Sequence, residues 1–168
     1  AKIFVTDINK EAVQRAVDDY GCEAVALDDI YDVDADVYSP TALGGTVNEA
    51  TLQRLKCKII CGAANNQLAT NEIGDEVQRR GILYAPDYAV NAGGLMNVSL
   101  EIDGYNRERA MRMMRTIYYN LGKIFQIAKR VCGRGQTRRG NHSGKTRQHP
   151  HQRKDLHRHH PRVDARKR

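Results

Sequence analysis

Apolar positions through residue 128 alternate between two regimes. Short apolar runs end at a polar residue, Gly or Pro, and each is followed by a stretch whose apolar positions recur three and four apart. The first run, 2–6, ends at Asp7. Asn9 can then cap a helix over 10–20, with Ala12, Val13, Ala16 and Val17 on one face. The pattern repeats as strand 36–39 and helix 48–55, strand 58–61 and helix 72–80, then strand 82–84 and a helix from about 91. Short strands alternating with helices predict parallel βαβ units, and so an α/β fold with a doubly wound parallel sheet. A last helix is predicted from Asn106 to about 130, where Ala110, Met114, Ile117, Leu121, Ile124 and Ala128 form one stripe that docks on something apolar.

Composition divides the chain. Residues 1–128 hold 13 basic and 18 acidic side chains, a net charge of −5, whereas residues 129–168 hold 14 and 2, a net of +12. All six His lie in that second segment, which is almost without apolar side chains, so burial there cannot offset the entropy of ordering. Residues 131–168 are expected to be a disordered basic tail. The run begins with Ala1-Lys2-Ile3-Phe4-Val5, with neither initiator Met nor signal layout, and is expected to be the middle of a longer protein. No apolar stretch approaches the roughly 20 residues of a membrane span. Cys22, Cys57, Cys61 and Cys132 follow no disulfide framework, which fits a reducing cytoplasm, and no metal site is expected.

Candidate chemistry gathers after the strands. A carboxylate such as Asp7, past an early strand, is where a dinucleotide-binding fold holds the adenosine ribose, and it repels a 2′-phosphate; it is equally an ordinary turn residue. Three loops rich in Gly and Ala, 39–45, 62–67 and 85–94, each follow a predicted strand. They read as turns singly and as a ligand crevice together. Asn65 and Asn91 offer amides able to pair with a carboxamide or a carboxylate.

The strings Val5-Thr6-Asp7-Ile8-Asn9, Ala42-Leu43-Gly44-Gly45, Gly62-Ala63-Ala64-Asn65-Asn66-Gln67-Leu68, Tyr84-Ala85-Pro86-Asp87-Tyr88, Asn91-Ala92-Gly93-Gly94 and Gly104-Tyr105-Asn106-Arg107-Glu108-Arg109 closely resemble the glutamate/leucine/phenylalanine/valine dehydrogenase family, nearest its leucine-oxidising branch. The resemblance covers residues 1–130 and implies NAD-dependent oxidative deamination of a branched-chain L-amino acid to its 2-oxo acid and ammonia. Phenylalanine and valine are the alternative substrates. It implies that Asp7 and Ile8 hold the adenosine ribose, that Ala42 and Leu43 line the adenosine side, and that Ala63, Ala64 and Asn65 run beneath the nicotinamide half. Asn65 also reaches the substrate, and Leu95 and Val98 line its side-chain pocket. Thr41 replaces a usual Cys, and Leu95 replaces the Val common in leucine-oxidising members, a difference of one methylene that shifts preference by about 1–3 kcal/mol.

Family members also carry an upstream substrate domain with a catalytic Lys and Asp, followed by a first strand with a Gly-rich diphosphate loop. Nothing here matches them, so no catalytic residue is assigned. Residues 1–104 are expected to be a partial NAD-binding domain and 105–130 the helix after it. Loss of the first, central strand would leave two half-sheets with unpaired edges, a chain that folds poorly, and no dehydrogenase activity from the chain alone. Full-length members are homo-oligomers. Read one nucleotide out of register, the codons for 130–136 admit Ala-Ala-Asp-Arg, which members carry beyond this helix, so the tail is expected to be an out-of-frame translation. Two rivals remain: a noncatalytic NAD-binding module, and a nucleic-acid-binding protein using the tail. Nucleic acid is the weaker partner, because the basic tail interleaves no aromatic for base stacking.

Overall fold

The computed structural model describes residues 1–102 and 104–139, with side chains through Val131. The chain divides into a unit Ala1–Lys129 and a unit Arg130–Arg168, and every described strand lies in the first. The α/β class and the parallel pairing are as expected. Strands β1 (Phe4–Val5) and β2 (Glu23–Ala24) form one parallel sheet, and β3 (Val37–Tyr38), β4 (Ile59–Ile60) and β5 (Leu83–Tyr84) form a second in that order. Val37, Ile59 and Leu83 stand in register, as do Tyr38, Ile60 and Tyr84, so the three C-terminal ends meet at one edge.

Local chemistry accounts for the helices. Helix α1 (Lys10–Tyr20) starts where the Asn9 side chain accepts from the Ala12 N–H at 3.1 Å, the predicted cap, and ends at Gly21 in the left-handed region at φ 64°. Helix α2 (Glu49–Arg54) begins with a reciprocal cap: Asn48 accepts from the Thr51 N–H at 3.1 Å, while the Thr51 hydroxyl accepts from the Asn48 N–H at 3.0 Å. Helix α3 (Asn71–Arg79) follows β4, and the one-turn helix α4 (Asp87–Val90) and α5 (Ala92–Ser99) follow β5.

The core sits around the three-stranded sheet. Val47, Leu52 of α2, Cys57, Ile60 of β4 and Val77 of α3 are buried together, with Tyr38, Leu68, Ile73 and Tyr84 half-buried against them. By contrast, α1 contributes no fully buried residue, so the two-stranded sheet and its helix stay thinly covered.

Sequence periodicity missed β2, the 3-10 turn Asp29–Asp32 and α4, all too short to show a period. The long helix α6 (Arg107–Arg139) turns Ala110 wholly inward and half-buries Met114, Ile117, Leu121 and Ile124, so the expected stripe faces protein as far as Ile124, whereas its last position, Ala128, is exposed. Its expected end at 130 is corrected: the backbone of 131–139 is helical rather than disordered. Propagating a helix already nucleated costs little per residue, Arg134, Gln136, Arg138 and Arg139 offset the weak propensity of Gly133 and Gly135, and no Pro intervenes before Pro150. The remainder of the tail expected to be disordered, 140–168, lies outside the described residues. Among the described residues no helix is long and apolar enough to cross a membrane.

Candidate functional site

The common C-terminal edge of β3, β4 and β5 delivers three loops, and backbone bonds sew them together. Pro40 O accepts from the Ala64 N–H at 3.0 Å, and Asn66 O accepts from the Gly45 N–H at 2.7 Å. The loop after β5 joins through side chains. Asp87 Oδ2 accepts from the Gln67 N–H at 3.0 Å, and Asn91 Nδ2 donates to Asn65 Oδ1. A Cβ on Gly44 would stand 2.7 Å from Asn65 O, so only glycine lets these backbones approach so closely.

Gln67 fixes the middle loop from inside. It is wholly buried, and its amide donates to Gly62 O at 2.6 Å and Ala64 O at 3.0 Å, while its Oε1 has no hydrogen-bond partner among the described residues. Asp87 divides its carboxylate, with Oδ1 accepting from the Tyr88 N–H at 2.7 Å at the start of α4. Neither residue stood among the predicted site positions. Their signal was faint but present, since a long amide and a carboxylate inside loop strings made mostly of Gly, Ala, Asn and Pro must satisfy backbone polar groups.

The expected site residues fall into three groups. Ala63, Ala64 and Asn65 lie in the middle loop, with Ala64 buried and Ala63 and Asn65 exposed, and Ala42 and Leu43 sit exposed in the loop after β3. Those five are brought together. Leu95 and Val98 project from α5 with relative exposures of 77% and 57%, open to whatever would complete a pocket. Asp7 and Ile8 follow β1 on the other sheet and share no hydrogen bond or ion pair with the three loops. Asp7 Oδ1 accepts from the Asn9 N–H at 2.8 Å, the ordinary turn role, which leaves Oδ2 without a donor among the described residues; Ile8 is 85% exposed. No group of three or more metal-ligating side chains gathers among the described residues.

Residues 4–142 match the model of the glutamate/leucine/phenylalanine/valine dehydrogenase family. The chain belongs to that family. It is 54% identical over 130 residues to leucine dehydrogenase of Bacillus cereus, covering 77% of this chain and 36% of that enzyme. It is 47% identical over 135 residues to phenylalanine dehydrogenase of Caldalkalibacillus thermarum, with the same coverage. The crystal structure of L-tryptophan dehydrogenase from Nostoc punctiforme superposes with a TM-score of 0.75 at 41% identity, covering 77% of this chain and 39% of that one. The chain thus spans about a third of the length of the amino-acid dehydrogenases it matches.

Proposed function

We propose that this chain is the NAD-binding part of an enzyme that oxidatively deaminates a branched-chain L-amino acid, as leucine dehydrogenase does, with ammonia and the 2-oxo acid as products. The convergence of three small-residue loops at the carboxyl edge of a parallel sheet carries this reading, because that edge is where doubly wound sheets hold nucleotides. On this reading β1–β2 and β3–β4–β5 are the flanks of one such sheet, and the central strand between them comes from elsewhere in the enzyme.

The residues present fit the cofactor. Asp7 keeps one carboxylate oxygen free for ribose hydroxyls, and its charge disfavours NADP. Exposed Ile8, Ala42 and Leu43 offer apolar surface to the adenosine, and exposed Ala63 and Asn65 offer a small side chain and an amide to the nicotinamide half. When bound, the dinucleotide supplies the hydride acceptor. Asn65 orients the substrate, and Leu95 with Val98 sets side-chain preference. No side chain here is assigned as acid or base, so the chain alone is inactive, and an oligomer of full-length chains is the working enzyme in the reducing cytoplasm. The codons of the tail are read out of frame, and the tail serves no function of its own.

Replacing the matching segment of the Bacillus cereus enzyme with residues 1–130 tests the proposal. The chimera should reduce NAD with leucine faster than with phenylalanine, and far faster than it reduces NADP. A folded chimera that neither binds NADH nor turns over leucine would overturn the reading.

A further inference from the structure

Helix α4 carries two polar side chains one turn apart, and both reach into the loop after β4. Asp87 opens the helix and takes the Gln67 N–H at 3.0 Å; Asn91 closes it, held by its own N–H on Asp87 O at 2.9 Å. Between their points of attachment Asn66 adopts φ 51°, in the left-handed region, which makes the turn from Asn65 to Gln67 tight. Gln67 then pins the far side of that turn to Gly62 O and Ala64 O. The backbone on both sides of Asn65 is fixed before any ligand arrives.

The Asn65 side chain is fixed too. A primary amide has one accepting end and one donating end, and Asn91 Nδ2 occupies the accepting end by donating to Asn65 Oδ1. Asn65 is otherwise exposed and its Nδ2 meets no acceptor among the described residues, so the loop shows the crevice a donor. We infer that Asn91 is a positioning residue that locks the Asn65 amide with its NH₂ outward, so that Asn65 selects a hydrogen-bond acceptor, a carboxylate or carbonyl oxygen, and rejects an ammonium group.

The lock itself requires no ligand. The nature of the acceptor rests on the dinucleotide-site reading above, with the amino-acid carboxylate and the nicotinamide carboxamide oxygen as its two sources.

Asn91→Asp keeps shape but cannot donate, so the Asn65 amide must turn over and show Oδ1 to the crevice. Asn91→Ala only releases it. Side-chain amide NMR on the 168-residue chain without ligand reads the lock directly. Asn91 amide protons should be protected from exchange and those of Asn65 should not. In Asn91→Asp those of Asn65 become protected, and in Asn91→Ala they stay unprotected. Unprotected Asn91 protons in the parent chain, or unchanged Asn65 protons in Asn91→Asp, overturn the lock.

NADH fluorescence titration of the Bacillus cereus chimera that carries residues 1–130, with and without 4-methyl-2-oxopentanoate, then identifies the acceptor. Asn91→Asp should weaken binding by about tenfold or more, the scale of one hydrogen bond turned repulsive, and Asn91→Ala by less, with melting temperatures unchanged. Loss in NADH binding alone assigns the carboxamide, and loss only in the oxo-acid increment assigns the carboxylate. Equal weakening in both variants together with a lowered melting temperature marks a merely structural role and overturns the inference. A folded parent chimera that binds no NADH counts against the dinucleotide reading, whereas the exchange pattern in the 168-residue chain still decides the lock.

Discussion

Gly62 packs so closely on Pro40 that a Cβ added to the glycine would stand 2.0 Å from the Pro40 carbonyl oxygen and 2.6 Å from its nitrogen. Both obstacles are backbone, so neither can swing aside as a side chain would. The same Pro40 oxygen accepts from the Ala64 N–H, so pushing the loops apart also strains that bond. Gly62→Ala should therefore cost about 3 kcal/mol or more, the upper end of overpacking penalties, and should weaken NADH binding in parallel. Gly93→Ala in α5 is the contrast. Its Cβ would sit 3.8 Å from Ile117 Cδ1, an ordinary contact, and the lower backbone entropy of Ala should raise stability by about 0.5–1 kcal/mol. Urea unfolding of the two variants, read side by side, checks both signs.

Gln67 offers a second test of the same loop. Removing its amide in Gln67→Ala leaves the Gly62 and Ala64 carbonyls unpaired in a buried place and opens a cavity, for an expected loss of about 2–4 kcal/mol. Gln67→Glu keeps the volume but turns an oxygen toward two carbonyl oxygens. It should destabilise at neutral pH and recover as acid protonates the carboxyl, since the protonated form again donates. Denaturant midpoints at pH 7 and pH 5 distinguish the two; a Glu variant indifferent to pH would show that the amide donors do not hold the loop.

Much of this architecture could be read from residue order alone, and the exceptions share a physical cause. Alternation between apolar runs and three-four spacing located β1, β3, β4, β5 and most helices, because most of them turn one side at least partly away from solvent and spacing encodes that side. Asn9 marked its helix start through cap chemistry. Strand β2 did not show, since Glu23 and Ala24 are both exposed and its pairing to Phe4 and Val5 is a backbone event. Helix α6 passed its expected end because propagation needs no apolar stripe. At the site, resemblance gave Asn65 and the loop strings, yet the roles of Gln67, Asp87 and Asn91 depend on bonds across 3 to 26 residues, which no local pattern states.

Tyr38 gives a pH prediction on the core side of the sheet. Burial pushes its phenol up to about 12 from an ordinary 10.0, and the Tyr31 ring lies 5.8 Å from it at a tilt of 49°. Folding thus favours the neutral phenol. The corresponding stability is fully present below pH 10 and is lost as the pH rises toward 12. An ultraviolet titration should show a tyrosinate phase near pH 12 that accompanies alkaline unfolding and disappears in Tyr38→Phe; a variant that retains the phase would assign it to another tyrosine.

Arg54 makes the last connection testable in acid. It closes α2, and its guanidinium grips the 3-10 turn: Nε and Nη2 lie 3.0 and 2.7 Å from the two Asp32 oxygens, Nη1 lies 3.0 Å from Asp28 Oδ2, and Nη2 donates to Asp28 O at 2.7 Å. Tyr31 places its ring 5.4 Å beneath the same group. The paired hydrogen bonds from Arg54 hold the Asp32 carboxyl below the usual carboxylate range. A carboxyl whose folded pKa is depressed adds stability above its unfolded pKa and loses it as the pH falls through the folded value. Arg54→Ala should therefore lower the melting temperature at pH 7, and the gap from the parent chain should close below about pH 4, where carboxylates protonate. Arg54→Lys should recover only part of the loss, because an ammonium cannot span both Asp32 oxygens and the Asp28 carbonyl at once. The partners are exposed, so added salt should narrow the gap as well, though less for the forked Asp32 contact than for a single-point pair. A gap that stays constant from pH 7 to pH 3 would place the contribution of Arg54 in its packing on Tyr31 rather than in its charge.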